Sequence, residues 1–418
     1  MADIRPFSCI HPSRELCSRV AALPYDVYSR EEARIVALRD PLSFLNIDRP
    51  ETQFAEGYDM YAPEVYQKAS DMIASEREEG VFEQDEKPVY WVYELVMDGR
   101  SQTGVVACAS IDDYQSGVIR KHENTRADKE ADRIRHVDRC GMQTGPIFLA
   151  YRENDVIGSV TDRIKEGEAF FDFTGEDGVT HRGWRIDDET DIARIREAFG
   201  SIERVYIADG HHRAASAVRV GCMRREQAGS YTGEEEFNSF LCVLFPAAEL
   251  HIMDYNRHVK DLNNLTAQEF LSRIKGVCDV KKTGEFSAPG ETGCFSMYLD
   301  GSWYACSFLP EVRVADAVEG LDVSLLQNLV LSPMLGIGDP RTDSRIDFVG
   351  GIRGWQDLER RVNEKGGVAF AMYPTSMEEL MQVADEERLM PPKSTWFEPK
   401  LRSGLFLHEI GHGREQTS

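Results

Sequence analysis

The stretch VYIADGHHRAASA, residues 205–217, decides how the chain is interpreted. It begins with apolar residues typical of a buried strand, and an acidic residue, Gly210, His211, His212 and Arg213 separate them from a run of small residues typical of a helix. If a helix begins near His211, its unpaired backbone N–H groups and positive dipole end face these polar side chains. The stretch therefore predicts a strand, a turn and a helix start that together hold an anion.

A solvated helix start, in which the two histidines have no further role, is the open alternative. Gly210 favours the anion site, because a residue without a side chain lets a ligand approach the backbone closely.

Composition limits the class of partner. The chain has 418 residues, 42% of them hydrophobic, and a formal net charge of −24. This length predicts a sizeable core, in two domains or in one elaborated domain. An acidic chain is poorly suited to bind nucleic acid or anionic lipid, so we expect small-molecule partners and neither of those. The nine cysteines form no CxxC pair, and no run of about 18 apolar residues occurs, which favours a cytoplasmic protein. The oligomeric state stays open.

The order of predicted elements indicates a mixed α/β (α+β) fold. Two hairpins are predicted, at Asp98-Gly99 and at Asp300-Gly301, and Ser29 before two glutamates predicts a helix start. Strands and helices alternate over residues 146–220, whereas residues 222–236 are polar and predict a surface loop. We expect a mixed α/β body over residues 1–250 and a C-terminal α+β part over residues 251–418.

A second polar cluster lies in RKHENTRADKEADR, residues 120–133. We expect Thr125 to cap a helix on which Lys129 and Arg133 share one face. A carboxylate beside such a cationic face suits a general base working next to phosphates. An ordinary charged, solvated helix is the alternative. The candidate residues of this cluster are His122, Glu123, Thr125, Lys129 and Arg133.

The third cluster is MPPKSTWFEPKLRSGL, residues 390–405. Two prolines stiffen its entry, and several donors follow that can bind an oxyanion. The spacing of a phosphate-binding P-loop is absent, and a plain structured loop is the alternative. The candidate donors are Lys393, Ser394, Thr395, Lys400 and Ser403.

The sequence HEIGH, residues 408–412, matches the HExxH pattern of zinc peptidases. That pattern requires a helix, yet the preceding residues alternate like a strand, and Gly411 is a poor helix former. We predict that no zinc binds there.

Five segments in this order are similar to the prokaryotic family known as domain of unknown function 1015. They are PYDVYS at 24–29, PLSFLNI at 41–47, KHENTRADKEADR at 121–133, ADGHHRAASA at 208–217 and MPPKSTWFEPKLRSGL at 390–405. The ADGHHR segment also resembles a box of the ParB-like and sulfiredoxin-like superfamily, whose members bind nucleotide phosphates there. This resemblance implies a ParB/sulfiredoxin-like nucleotide-binding core, elaborated by additional strands and helices.

Within that superfamily, free-serine kinases phosphorylate L-serine with ATP or ADP. The resemblance implies the same reaction here, with Mg²⁺ as cofactor, Glu123 as the base, and Asp209 as the residue that holds the metal or orients the substrate. It also implies that His211 takes part in catalysis. The implied phosphate-binding residues are Gly210, His212, Arg213, Lys129, Arg133, Lys393, Ser394, Thr395 and Lys400. The implied substrate-binding residues are Tyr25, Asp26, His122 and Thr125, and Asp26 is expected to pair with the substrate ammonium.

Two other functions stay open at this stage. A phosphoserine phosphatase uses the same site in reverse, because both directions pass through one transition state. A nucleotide-sensing regulator, or a DNA-associated protein of ParB type, needs no base at Glu123. The acidic composition and the absence of a recognisable helix-turn-helix disfavour DNA.

Overall fold

The computed structural model describes residues 1–413, which divide into two compact units. The first unit comprises Met1–Leu250 and the described residues from Pro399 onward, and the second comprises His251–Glu398. The residues after Pro399 join the first unit through a short antiparallel pair, in which His408–Glu409 lies against Met142–Gln143.

The elements of the first unit follow in chain order. They are β1 (Ile4–Arg5), β2 (Ile10–Pro12), α1 (Cys17–Val20), α2 (Arg30–Arg39), α3 (Leu45–Asp48), α4 (Pro63–Glu78), β3 (Phe82–Gln84), β4 (Tyr90–Met97), β5 (Arg100–Ser110), α5 (Ile111–Ser116), β6 (Ile119–Arg120), α6 (Ala127–Cys140), β7 (Met142–Gln143), β8 (Ile147–Tyr151), α7 (Asp155–Lys165), β9 (Phe171–Thr174), β10 (Thr180–Ile186), α8 (Glu189–Gly200), β11 (Val205–Asp209), α9 (His211–Ala228) and β12 (Ser239–Pro246).

A nine-stranded mixed sheet forms the centre of this unit. Its order is β6-β11-β8-β12-β5-β4-β10-β9, and β1 pairs with β5. β11 runs parallel to β6, with Val205 opposite Ile119 and Tyr206 opposite Arg120. Because parallel strands end at the same edge of a sheet, the loop after β6 and the start of α9 after β11 are neighbours. This pairing brings the second polar cluster to the first.

Helix α9 packs on the sheet through small side chains. Ala214, Ala217 and Val218 are buried in one core cluster with Val205 and Ile207, which alternate along β11. Burial of a valine or isoleucine side chain contributes about 1.5–3 kcal/mol, so this contact fixes the helix on the strand before it.

The elements of the second unit are β13 (Ile252–Met253), β14 (Tyr255–Val259), α10 (Ala267–Ile274), β15 (Cys278–Lys282), β16 (Cys294–Leu299), β17 (Ser302–Phe308), α11 (Asp322–Leu326), β18 (Ile346–Gly350), α12 (Trp355–Lys365), β19 (Val368–Met372), α13 (Met377–Asp385) and β20 (Trp396–Phe397). Six of these strands form one sheet of order β15-β17-β16-β19-β14-β18, and β13 pairs with β20. The last strand of the described chain, β21 (His408–Glu409), belongs to the first unit.

The mixed α/β class predicted from the sequence is confirmed. Both hairpins form, and Asp98 and Asp300 adopt positive φ angles of 52° and 47° before their glycines. Ser29 accepts a hydrogen bond from the Glu32 N–H in a capping box, so the predicted helix start is also confirmed.

The loop predicted over residues 222–236 is wrong in its first half, because α9 continues to Ala228. The charged residues that suggested a loop make ion pairs from the helix. Arg224 pairs with Asp138 at 2.6 Å, and Arg225 pairs with Asp112 at 2.6 Å. Ion pairs made by buried and half-buried arginines therefore extend the helix into this polar run. Within residues 1–413, no helix is both long and apolar enough to span a membrane.

Candidate active site

The candidate site begins where β11 ends. Gly210 separates β11 from α9 and has a φ angle of 92°, in the left-handed region that favours glycine. A Cβ atom at this position would lie 3.0 Å from Nε of Arg213. As the residue before the helix, Gly210 also offers no side-chain oxygen to the first-turn N–H groups of α9. The turn therefore leaves the helix N-terminus open to an outside acceptor.

Asp209 is held in a cationic environment. Its Oδ2 accepts a hydrogen bond from Lys400 Nζ at 3.0 Å, its Oδ1 accepts one from the Gly210 N–H at 2.8 Å, and Arg213 Nη2 lies 4.0 Å away. Burial alone would raise the pKa of Asp209, but the nearby Lys400 and Arg213 charges and these hydrogen bonds lower the pKa well below its usual range. Asp209 is therefore ionised, and both of its oxygens are already in use.

Arg213 is fixed one turn into the helix. Its Nη1 donates a hydrogen bond to the Pro146 carbonyl at 2.9 Å, and only 12% of its side chain is exposed. A guanidinium held in this way retains its charge and its orientation, as binding of a phosphate requires.

His122, Glu123 and His211 form a compact cluster. One potential ligand atom from each side chain lies within 4.8 Å of the other two. The two imidazole rings are perpendicular, with their centroids 4.5 Å apart, and both are buried, whereas Glu123 is half-buried. The His122 N–H donates a long hydrogen bond, of 3.5 Å, to Nε2 of His211. The cluster joins the β6 loop to the first residue of α9.

Burial keeps both rings neutral. It lowers the pKa of His122 to about 4, although a hydrogen bond with the Ile207 backbone and the Asp209 charge oppose the shift. Burial, helped by His122, also lowers the pKa of His211 well below its ordinary value. At neutral pH both imidazoles carry a lone pair and can bind a metal ion or accept a proton.

The loop between β6 and α6 is tied to α9 by His212. Nε2 of His212 accepts a hydrogen bond from the Arg126 N–H at 2.9 Å. Arg126, not Thr125, precedes the helix, and the predicted cap at Thr125 is therefore wrong. The Thr125 hydroxyl instead donates to Oε2 of Glu130 at 2.8 Å. His212 has a positioning role that the sequence pattern did not indicate.

A polar pocket lies beside Arg213 in the first unit. The guanidinium of Arg133 stacks on the Tyr25 ring at 4.2 Å and pairs with Asp132 at 2.8 Å. Burial raises the pKa of Tyr25 to about 12, although the nearby Arg133 opposes the shift. The residues that line the pocket include Tyr25, Asp48, Arg133, His136, Thr144, Arg213, Ser216 and Ser403.

The pocket brings together residues from four of the sequence segments, which predicted Tyr25, Arg133, Arg213 and Ser403. Lys129 is half-buried on α6, and Asp26 is exposed next to Tyr25. Sequence inspection missed the partner Asp132 and the pocket residues Asp48, Thr144 and Ser216. Asp48 directly follows the PLSFLNI segment, and that position is the signal that could have indicated it.

Three predicted donors, Lys393, Ser394 and Thr395, belong to the second unit. The Lys393 ammonium lies 5.8 Å from the Tyr255 ring centroid, and its carbonyl accepts a hydrogen bond from Arg257 at 3.1 Å. The Ser394 hydroxyl donates to the Pro391 carbonyl at 2.6 Å. Their participation in the site remains a prediction, whereas Lys400 lies in the first unit against Asp209.

The HEIGH sequence begins in a strand, β21, and not in a helix. His408 is buried, with its two ring nitrogens 3.1 Å from Oε1 of Gln143 and 2.7 Å from Oε2 of Glu236. The geometry of a zinc-peptidase helix is therefore absent from this segment.

Comparison with known proteins identifies the family. Residues 4–324 match the family described as protein of unknown function (DUF1015). The chain belongs to this family. No curated protein matches the sequence.

The similar solved structures are distant. A free serine kinase variant in complex with ADP has 14% identity and a TM-score of 0.35, over 70% of this chain and 87% of that chain. A conserved hypothetical protein from Pyrococcus furiosus has 14% identity and a TM-score of 0.34, over 71% and 92%. SbnI from Staphylococcus aureus, truncated at its C-terminus, has 11% identity and a TM-score of 0.35, over 71% and 84%. Similarity at this level carries no argument about function, which has to be inferred from the site.

Proposed function

We propose that the protein is a nucleotide-dependent phosphotransferase that acts on free L-serine or O-phosphoserine, with ATP or ADP as the nucleotide. One observation carries the proposal. The Glu123 carboxylate lies in a cluster with the first residue of α9, at the turn that also holds Arg213 and the Lys400–Asp209 pair. A base and a phosphate-binding helix end therefore lie at one place, as phosphoryl transfer to a hydroxyl requires.

The phosphate side consists of the N-terminus of α9 and its cations. The first-turn N–H groups and Arg213 bind the phosphate oxygens, and Lys400 adds positive charge while it holds Asp209. Such preorganised donors stabilise the charge on the transferred group and need no rearrangement during the reaction. We also propose that Lys129, on α6 of the same unit, supplies a further donor.

Glu123 is the proton acceptor in the kinase direction. The substrate hydroxyl oxygen bonds to the phosphorus as its proton passes to Glu123, and the bond from phosphorus to the nucleotide breaks, which leaves the shortened nucleotide with the electron pair. In the opposite direction, protonated Glu123 returns the proton to serine. A ring nitrogen of His211 lies within 4.8 Å of an oxygen of this carboxylate, and we propose that His211 orients it during the reaction.

The polar pocket beside Arg213 has a volume of about 30 Å³, which is room for one small polar group of a substrate and not for a whole amino acid. Arg133, stacked on Tyr25, faces a space that is also lined by the Ser403 hydroxyl, and a carboxylate is the group that a guanidinium recognises best. We assign the substrate carboxylate to Arg133 and, following the sequence prediction, its ammonium to Asp26. His122 and Thr125 border the reacting hydroxyl in this arrangement.

Mg²⁺ enters this proposal with the nucleotide. Asp209 fits poorly as its ligand, because the Lys400 ammonium at 3.0 Å and the Arg213 guanidinium at 4.0 Å already offset its charge and repel a cation. Magnesium in such sites is held largely by the substrate phosphates and by water, which requires few protein ligands.

Phosphate transfer followed by phosphorus NMR tests the proposal. The protein is incubated with Mg²⁺ and either serine plus ATP or ADP, or phosphoserine plus ADP or AMP. We expect transfer in at least one pairing, and a loss of about 10²-fold or more in Glu123→Gln with nucleotide affinity retained, because the base moves the proton and does not bind phosphates.

Glu197→Gln, an exposed carboxylate on α8, is the matched control and should transfer at the wild-type rate. Absence of transfer in every pairing, or an unchanged rate in Glu123→Gln, would contradict the proposal. Release of inorganic phosphate from phosphoserine, without transfer to a nucleotide, would identify a phosphatase instead.

A further inference from the structure

We infer that His122, Glu123 and His211 form a binding site for one divalent transition-metal ion, of the Zn²⁺, Co²⁺ or Mn²⁺ class. This ion is separate from the Mg²⁺ that accompanies a nucleotide. The inference deepens the proposed function, on which it rests for what the ion does, but the binding itself does not depend on that reaction.

The donor geometry is close to that of a metal site. The three ligand atoms lie within 4.8 Å of one another, whereas metal–ligand bonds of about 2.0–2.1 Å place the atoms around zinc about 3.4 Å apart. The ligand atoms therefore have to move closer together when an ion binds. Two imidazoles and one carboxylate are a common protein donor set in three-ligand sites, where the remaining positions go to water or substrate.

The fold holds the donors in place from two sides. His211 is the buried first residue of α9, whereas His122 and Glu123 follow β6, the parallel neighbour of β11. The ring of His122 also makes a hydrogen bond with the Ile207 backbone. Metal-binding histidines regularly bind a backbone carbonyl through their second nitrogen, which fixes the ring and its tautomer.

The nature of the donors selects the metal. Imidazole nitrogens bind Zn²⁺, Co²⁺ and Mn²⁺ well, whereas Mg²⁺ prefers oxygen ligands and water in octahedral geometry. The neighbouring Asp209 is not part of the cluster, and the positive charges of Lys400 and Arg213 repel a cation from its carboxylate. Only one oxygen-bearing side chain therefore belongs to the cluster, which disfavours Mg²⁺.

Metal binding is compatible with the role proposed for Glu123. A carboxylate that binds a metal through one oxygen keeps its second oxygen for a proton. Such an ion lies beside the N-terminus of α9, next to the position that the proposed function gives to the transferred phosphate.

The test measures metal binding to the full chain after treatment with a chelator, with Co²⁺ as the probe because its visible absorption reports its ligands. We expect one Co²⁺ per chain, displaced by an equal amount of Zn²⁺ but not by a thousandfold excess of Mg²⁺. Glu123→Gln should weaken Co²⁺ binding at least tenfold, since even loss of a group that only supports a ligand costs about 10–100-fold.

His211→Asn should weaken binding similarly and change the absorption spectrum, and Glu123→Gln decides the matter if this buried variant does not fold. His412→Ala, which removes an exposed histidine, is the matched control and should bind as the wild type does. Absence of Co²⁺ binding at tens of micromolar, equal binding in Glu123→Gln and wild type, or displacement by Mg²⁺ would overturn the inference. Binding without any phosphate transfer would leave the inference standing while the proposed function fails.

Discussion

Asp209 in the first unit and Asp322 in the second accept similar hydrogen bonds, but their pKa values are shifted in opposite directions. Each carboxylate accepts the N–H of a glycine at 2.8 Å, from Gly210 and from Gly293 respectively. Burial raises the pKa of Asp322 to about 6, because the Gly293 N–H and Arg313 only partly offset it. At Asp209, nearby Lys400 and Arg213 outweigh burial and lower the pKa.

The difference teaches how to separate a structural carboxylate from a candidate functional one. Burial raises the pKa of an acid whose hydrogen bond comes from a backbone N–H alone, and this favours the neutral form. An acid that collects two cations stays charged and concentrates positive groups where an anion can bind. The direction of a carboxyl pKa shift therefore helps to identify a functional residue once the neighbouring groups that cause the shift are known.

The largest expected effect is on turnover. Asp209→Asn is nearly isosteric but releases Lys400 and Arg213 from their counter-charge, so we expect phosphate transfer to fall by about 10²-fold or more. Asp322→Asn should leave transfer unchanged. Initial rates of transfer in both variants are measured by phosphorus NMR. Equal rates would mean that the different electrostatics of Asp209 and Asp322 have no bearing on function.

The next effect is on stability. In the Lys400→Met variant, Asp209 loses its hydrogen-bonded ammonium and keeps the guanidinium of Arg213, 4.0 Å away, as a cationic neighbour. Loss of one partner of a buried ion pair costs about 3–5 kcal/mol, and since 31% of the Asp209 side chain is exposed we expect about 2 kcal/mol. The loss is measured as the difference in the free energy of unfolding in urea between the variant and the wild type.

The double variant Lys400→Met/Asp209→Asn serves as the control for that loss. It should recover part of the stability, because no uncompensated charge remains. Strict additivity of the two single changes would mean that Lys400 and Asp209 do not interact.

The last effect lies in the second unit, concerns pH and leaves phosphate transfer unchanged. The folded protein raises the pKa of Asp322 from 3.8 to about 6, so between these values the folded state binds more protons than the unfolded state. The unfolding free energy therefore falls as pH rises from about 4 to about 6, by up to about 1.4 kcal/mol per pH unit. Asp322→Asn should lack this contribution, as the difference between the two pH profiles of thermal unfolding would reveal. Parallel profiles would contradict the assignment.

Local sequence signals predicted much of the fold. The hairpins at Asp98 and Asp300 and the helix start at Ser29 depend on a few adjacent residues, and all three are confirmed. The strand, turn and helix around Gly210 depend on equally short-range rules, and their bounds follow the pattern closely.

Tertiary pairing could not be derived in this way. The proximity of Glu123 to His211 requires β6 to pair with β11, and no local pattern encodes that choice. The same holds for Arg126, whose N–H bonds to His212, and for Arg133, whose guanidinium stacks on the Tyr25 ring. Residue type indicated which side chains carry chemistry, but their partners come from distant parts of the chain.

The two-residue strand β6 has a consequence for how ligands enter. It lies at the margin of the nine-stranded sheet and pairs only with β11 in that order. Local opening of a short marginal strand costs far less free energy than opening of a central one. Fraying of residues 119–126 therefore opens the His122 and Glu123 side of the site while the core stays folded. Amide hydrogen exchange should be faster there than in β12, and a bound ligand should slow it by closing the margin of the sheet.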